Sequence, residues 1–569
     1  MGGGSIFPGH TAEFPAYSGI GPFDMGSNGI RFSITDLSPP TTRILPTLHV
    51  HRLDISLYDA QFDDTTGARI PIPDSVIKDI IAGLLRFQII CADFGVPSYY
   101  IRIIATEATR TAINSADFLK GIRKQTGLSA ELLPKEDEGK VGAFGIASSF
   151  SEVEGILMDL GGGSTQITWL KAHKGVIEMS PKGSYSFPYG AAALSKKLEE
   201  LTKGKSPDEA WKAKEIFRQE MKSNFLNTYR GLEIPKDMSE RAKRQGGFNL
   251  YLSGGGFRGW GYLLLYQNQT GENYYPISII NEFTAPSSEL ADTGKLEEVA
   301  RTAHKIFRIS DRRRKQVPAV AFLFNVLANA LLHSIKEAHF CQGGIREGVL
   351  FQALSPSIRM QNPLTVATSP YAKDSATGIA GLLLNAIPSS TVDSSHHFPT
   401  SIGADTIEAL ANILYVHSVM SKESSSSSAL YSTSTGLLSS AHGVSHVHRA
   451  LLALMLEESY EGELPPREAG FKSRLRDILE AREVWWTCYI GKVALLLPKP
   501  RVQLCARWFT SIKGRKVSKG IKLVFLIQEK KHDPMKLKET VQDHKNWIGG
   551  RKGWGLRAEV SVEEGEIYE

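Results

Sequence analysis

Cysteine is scarce. The 569 residues hold four, Cys91, Cys341, Cys488 and Cys505, far apart and with no pair at metal-ligand spacing. That argues against a zinc module and a disulfide scaffold and leads to the expectation of a reducing compartment, the cytoplasm, with the nucleus as a second location. Long apolar runs are also missing. The most apolar stretch, Val317 to Leu332, contains Asn325 and Asn329 and is followed by His333 and Lys336, so it reads as a buried helix rather than a membrane span. Met1 to Gly21 is rich in Gly, Pro and Ser and lacks the basic start and apolar core of a signal peptide. Ile6 stands where a myristoylation start requires Ser or Thr. No charge of one sign dominates: 66 Lys and Arg against 60 Asp and Glu leave +6, too little to point to nucleic acid or a membrane as the main partner. The His532-Asp533 pair has no supporting histidine cluster, and His396-His397 lies in a Ser-rich stretch, so neither reads as a metal site.

The length suggests three or four domains of about 150 residues each, and 42% hydrophobic residues are enough to build their cores. After Asp24, Ile30, Phe32 and Ile34 alternate with Arg31, Ser33 and Thr35 at the period of a strand. Leu48 to Leu53 alternates likewise. Ser75 to Phe94 has helical spacing, Tyr100 to Ala105 suits a buried strand, and Ser115 to Gly127 suits a helix capped by Ser115. Ile156-Leu157-Met158 is a further buried-strand run. Strands alternating with helices predict an α/β protein. The Ser-rich run Ser424 to Ser428 predicts a flexible loop. A helix from Phe471 and strands over Val502 to Phe509, Ile521 to Ile527 and Leu556 to Val562 predict a small α/β domain at the end. Arg312-Arg313-Arg314-Lys315 reads as a solvated face or helix end.

Two turns echo each other. Asp24-Met-Gly26-Ser27-Asn28-Gly29 and Asp159-Leu-Gly161-Gly162-Gly163-Ser164-Thr165 each lead into alternating strand residues, and they lie 135 residues apart. The echo predicts two related lobes. A third glycine turn, Ser253-Gly254-Gly255-Gly256, follows the strand-like Phe248 to Leu252. Glycines after a strand let backbone N–H groups approach an anion closely. Ser27, Ser164 and Thr165 add hydroxyl donors, and Arg31 can offer a fork to phosphate. An Asp beside each turn repels bare phosphate but makes sense if a divalent cation bridges the two.

Asp24 to Arg31 and Asp159 to Thr165 resemble the two phosphate loops of the exopolyphosphatase/guanosine-pentaphosphatase family. Ala105-Thr106-Glu-Ala-Thr-Arg110-Thr-Ala-Ile-Asn114, Ser186-Phe-Pro188-Tyr-Gly190-Ala191 and Arg346-Glu347-Gly348 match further family stretches in order, over about residues 24 to 355. Gly254-Gly-Gly-Phe-Arg258-Gly259, Gln166, Trp485-Trp486 and Lys552-Gly-Trp-Gly555 add a likeness to the fungal retrograde-regulation sensors of that superfamily, which act in mitochondria-to-nucleus signalling.

The resemblance implies a two-lobed actin-like (ribonuclease H-like) fold with an added C-terminal helical and small α/β region. The expected divisions are an irregular segment 1–23, lobes at 24–155 and 156–355, a helical region with the Ser-rich loop at 356–465, and a C-terminal domain at 466–569. Implied phosphate ligands are Gly26, Ser27, Asn28, Arg31, Gly161, Gly162, Gly163, Ser164, Thr165, Gly254 and Gly255. Implied Mg²⁺ ligands are Asp24, Asp159 and Gln166, and Glu138 would position the attacking water. Two features depart from the family pattern. Gln166 stands where the family usually has Glu, which weakens a cation site and puts hydrolysis in doubt more than binding. Ser18-Gly-Ile-Gly-Pro22-Phe23 stands where the family has an apolar strand, and Pro22 with two glycines predicts no central strand there. The reading is a regulatory protein that binds a nucleotide or polyphosphate and relays this to a protein partner, with homodimerisation open. The alternative is an active exopolyphosphatase or guanosine pentaphosphate phosphohydrolase.

Overall fold

The computed structural model describes residues 19–27, 29–63, 65–270, 274–331, 334–388, 398–460, 462–497, 502–513, 516–527 and 557–564. They fall into two units. One is Met1–Glu272 with Ile279–Pro363, and the other is Asn273–Ser278 with Leu364–Glu569.

The first unit starts with β1 (Gly19–Gly26), β2 (Gly29–Asp36), β3 (Thr47–Leu53), β4 (Ile101–Ala105) and β5 (Ala130–Leu132), in the spatial order β3-β2-β1-β4-β5. Ile30, Phe32 and Ile34 are fully buried, as the alternation in the sequence requires. The Asp74–Asp93 helix lays Ile80, Ile81, Leu84 and Phe87 into the same core. The Ser115–Thr126 helix ends at Gly127 in the left-handed conformation. Its N-cap is Asn114 rather than Ser115, and Asn114 uses its amide to hold Ile72 through two hydrogen bonds of 2.9 Å.

The expectation of no central strand before Asp24 is overturned for residues 19–23. Gly21 to Met25 pair in parallel with β4, and β1 also pairs antiparallel with β2. The ladder to β2 carries the mark of the sequence, because its rungs run through Gly19 and Ile20, skip Gly21 and Pro22, and resume at Phe23. A proline has no N–H for such a ladder. The strand persists because β4 pairs across that gap and β2 and β4 bring the apolar residues. The irregular segment expected over residues 1–18 lies outside the described residues.

The second lobe repeats the plan. Its strands are β6 (Val153–Leu160), β7 (Thr165–His173), β8 (Val176–Met179), β9 (Tyr185–Phe187), β10 (Phe248–Ser253), β11 (Phe283–Pro286) and β12 (Ile335–Phe340). The path is β8-β7-β6-β10-β12-β11, with β9 beside β7. β8, β7 and β6 are antiparallel, while β10 and β12 continue in parallel from β6, as in the first sheet. The echo is kept at the level of register: Asp24 stands opposite Arg31 on β2, and Asp159 opposite Gln166 on β7. This duplication is the two-lobed actin-like fold. The division drawn at 155/156 cuts through β6, because the buried run begins earlier, at Val153.

Two helices join the lobes closely. A Cβ on Gly348, in the Ile345–Ala353 helix, would strike the Val141 carbonyl of the Lys135–Ser148 helix. Glycine allows the two backbones to touch, and Ile104, Leu133, Val141 and Val349 fill the adjoining core. Arg43 is buried nearby, and among the described residues no carboxylate pairs with it. It donates to the carbonyls of Arg359 (3.0 Å), Ser148 (3.2 Å) and Phe150 (2.7 Å) and lies over the Phe351 ring.

The second unit packs its helices around His446–Glu458, whose residues Ala450 to Leu456 have no exposure. A three-stranded sheet, β13 (Val502–Lys513), β14 (Lys516–Ile527) and β15 (Arg557–Glu564), follows, antiparallel then parallel. Across the boundary expected at 465/466, Glu458 binds Lys472 at 2.7 Å and Lys492 at 3.0 Å. The expected Ser-rich loop is corrected, since Ser425–Tyr431 is a helix with Ser425 and Ser426 buried. Small side chains fit where a helix is pressed against its neighbours.

Candidate functional site

The glycine turns meet. An open cleft in the first unit is lined by Gly26, Ser27 and Arg31 from the first lobe and by Asp159, Gly161, Gly162, Ser164, Gln166, Gly254 and Gly255 from the second, with Glu138 facing them. The Asp24 rung of β1 enters the first turn, and Asn28 lies outside the described residues.

Local hydrogen bonding explains the loop shapes. The amides of Gly190, Ala191 and Ala192 donate to the carbonyls of Gly163, Gly161 and Gly162 at 3.1, 2.9 and 2.9 Å. The start of the Ala191–Thr202 helix therefore takes up the carbonyls of the second loop, and amides are what the loop has left to offer an anion. A Cβ on Gly190 would run into the backbone of Gly162 and Gly163, which accounts for the glycine of the Phe-Pro-Tyr-Gly stretch. In the first turn, the Ser27 carbonyl is taken by the Tyr58 amide (3.0 Å) and the Ser56 hydroxyl (3.2 Å).

Two expected residues face elsewhere. Thr165 is buried and donates its hydroxyl to the Tyr189 carbonyl at 2.8 Å. Gly163 backs onto the Glu107 carboxylate, where any side chain would collide. Neither lines the cleft. Both belong to the frame that shapes the loop.

Glu138 stands in the first turn of the Lys135–Ser148 helix, paired with Arg110 at 3.0 Å. Arg110 also donates to the Leu133 carbonyl, so the arginine of the Ala-Thr-x-x-x-Arg stretch fixes both the approach to this helix and its carboxylate. Burial pushes the Glu138 pKa up to about 7, and the Arg110 guanidinium only partly offsets it. A carboxylate poised there can take a proton from water near neutrality. Asp159 is half-buried where it lines the cleft. Burial raises its pKa, against the pull of the Ser253 hydroxyl and of Arg258 and Arg31.

Sequence reasoning missed a set of arginines. Arg52, Arg258, Arg313 and Arg346 also line the cleft, beside Thr106 and the Gly344–Glu347 helix start. The run from Arg312, taken as a solvated face or helix end, is the first turn of Asp311–Ala330, and Arg313 turns inward from it. The signal was available in Gly254-Gly-Gly-Phe-Arg258 and in four consecutive cations, but nothing in their spacing says which cation faces inward.

Residues 39–356 match the Ppx/GppA phosphatase family, and residues 362–565 match the RTG2 C-terminal domain. The chain belongs to the Ppx/GppA phosphatase family. It is 37% identical over 490 residues to Retrograde regulation protein 2 of Saccharomyces cerevisiae, covering 83% of this chain and 79% of that protein. Exopolyphosphatase 1 of Mycobacterium tuberculosis is 27% identical over 184 residues, 31% of this chain and 48% of that one. Among solved structures, the Aquifex aeolicus PPX-GPPA enzyme aligns with a TM-score of 0.44 and 20% identity, covering 59% of this chain and 99% of that one. The candidate cation ligands that line this cleft are oxygen donors, Asp159 and the Gln166 amide opposite it, and the backbone of Asp24 stands on the equivalent rung of β1. Among the described residues no three Asp, Glu, Cys or His side chains gather as a metal cluster. A hard cation whose remaining positions are filled by phosphate and water fits this donor set better than one bound by protein alone.

Proposed function

We propose that this chain is a regulatory protein of mitochondria-to-nucleus signalling that binds the phosphate end of a nucleotide or polyphosphate between its two lobes. The observation that carries the reading is the meeting of two glycine loops and Arg31 on one cleft while a neutral Gln166 faces Asp159. The loops supply amides and hydroxyls, Arg31 supplies a fork, and Mg²⁺ would be held by Asp24, Asp159 and the Gln166 amide. There the ion would neutralise phosphate charge. With one carboxylate fewer, its hold is weak and binding outlasts turnover. Closure of the lobes on the ligand then changes the surface offered to a protein partner.

The second reading, a phosphoanhydride hydrolase, is favoured by Glu138. Its burial and its hold on Arg110 suit a base that orients water toward a terminal phosphorus. Phosphate release from polyphosphate and guanosine pentaphosphate with Mg²⁺, native chain against Glu138→Gln, separates the two. The regulatory reading expects negligible release from both chains. Release on the order of 10 per second by the native chain, lost in Glu138→Gln, would replace it with the hydrolase.

A further inference from the structure

A glutamine at position 166 raises a question that a glutamate does not. A carboxylate presents oxygen whichever way it turns, whereas an amide presents oxygen on one side and N–H on the other. For Gln166 to help hold a cation, its oxygen must be the end that faces the cleft. The bonding of its other end is visible. Gln166 Nε2 donates to the Ser164 hydroxyl at 2.9 Å, both side chains are buried, and both residues line the cleft with Asp159.

A serine hydroxyl has one hydrogen. With its oxygen accepting from Gln166, Ser164 turns that hydrogen to the carboxylate of Glu107. Glu107 opens the short Glu107–Arg110 helix after β4, and its carboxylate lies against Gly163, the residue before Ser164. The bonds therefore run from Gln166 through Ser164 to Glu107, out of the second lobe and into the first. Glu107 adds little to folding. Its Oε2 is buried and accepts no hydrogen bond, which is a cost. Its neighbour Arg110 is already paired with Glu138. A group that costs stability while supporting a binding loop calls for a role at that loop. Without an acceptor behind it, the Ser164 hydrogen would turn to Gln166 Oε1, and the amide would present N–H to the cleft instead.

We propose that Glu107 is a positioning residue for the cation site: by accepting the Ser164 hydrogen it sets the Gln166 amide with Oε1, and not Nε2, toward the cleft beside Asp159. The inference rests on the phosphate-binding reading above and adds the residue through which a neutral side chain serves as an oxygen ligand. A glutamate at position 166 needs no such help, because it accepts the Ser164 hydrogen itself. Since Glu107 belongs to the first lobe and Gln166 to the second, the amide is oriented only while the lobes meet as they do here.

The test is calorimetric titration of Mg²⁺ into the full chain with orthophosphate present, on the native chain, Glu107→Leu, Gln166→Glu and the double variant, with each chain also melted free of ligand. Leucine fills the space of Glu107 and accepts no hydrogen bond. In the native background Glu107→Leu is expected to weaken Mg²⁺ binding about tenfold, the size of one hydrogen bond. In the Gln166→Glu background the same change should alter it less than about twofold. The ligand-free melting temperature of Glu107→Leu should be no lower than that of the native chain. An equal loss of Mg²⁺ affinity in both backgrounds makes Glu107 a general support of the loop and overturns the proposal. Unchanged Mg²⁺ affinity in Glu107→Leu does the same. If Glu107→Leu does not fold, Glu107→Ala in the same two backgrounds decides. A native chain that binds orthophosphate but no Mg²⁺ overturns the cation site and this role with it, and one that binds neither overturns the phosphate-binding reading itself.

Discussion

At the scale of single residues, the cleft depends on two carboxylates that burial holds in opposition to their neighbours. Glu138 has a folded pKa of about 7 against an ordinary 4.5. Between those values the folded chain binds more protons than the unfolded one, so stability falls as pH rises through that window. Glu138→Gln removes the dependence. Its melting temperature relative to the native chain should be higher at pH 8 than at pH 5, and scanning calorimetry at the two values would show it. An offset independent of pH would mean that Glu138 is ionised throughout. Gln166 gives the complementary prediction. Gln166→Glu adds a charge opposite Asp159, at a rung already poor in solvent. Without Mg²⁺ it should destabilise the chain. With Mg²⁺ and tripolyphosphate it should bind the ion more tightly, by about tenfold for one added carboxylate. Equal Mg²⁺ affinity in both chains would remove Gln166 from the cation site. Glu138 and Gln166 could be named only through the resemblance to the family, from their places relative to the second glycine loop. Arg52 and Arg313 could not, because an arginine on an edge strand or in a basic run looks the same whether it faces water or a cleft.

At the scale of elements, periodicity was a good guide where burial is one-sided and a poor one where pairing decides. The alternation of β2 and the apolar face of Asp74–Asp93 were legible because the core selects their spacing. β1 was not, because its place comes from neighbours 10 and 80 residues away that pair with it. The missing rungs at Gly21 and Pro22 lead to a prediction. Pro22→Val restores an N–H and a β-branched side chain and should raise stability by about 1 kcal/mol. A lower melting temperature would show that the gap in the ladder is filled by something that valine displaces. The Ala191–Thr202 helix gives the opposite case. Gly190→Ala drives a methyl into the second loop and should cost about 1–3 kcal/mol. It should also abolish tripolyphosphate binding while secondary structure by circular dichroism stays native. Retained binding would separate the shape of the loop from its hold on the helix.

At the scale of the whole molecule, the duplicated lobes were visible in sequence because both copies keep an Asp and glycines at the same turn. The division into units was not, because the chain does not cross from one to the other once. Asn273–Ser278 belongs to the second unit although the residues on both sides of it belong to the first. No change of composition marks six residues as belonging elsewhere. Within the second unit, Tyr275 directs its hydroxyl to Nδ1 of His446, at the start of the central helix, at 2.6 Å. Burial raises the pKa of that phenol and so favours its neutral form. Tyr275→Phe removes the bond and leaves the imidazole with one partner fewer, at a cost of about 1–2 kcal/mol. The loss should fall on the second unit. Calorimetry of the full chain with and without tripolyphosphate assigns the transitions, since the ligand raises the melting of the unit that binds it. The transition that tripolyphosphate leaves in place is the one Tyr275→Phe should lower, and the ligand-induced rise should be the same size in both proteins. If Tyr275→Phe instead lowers the ligand-sensitive transition, the segment serves the phosphate-binding unit, and its assignment to the second unit is wrong.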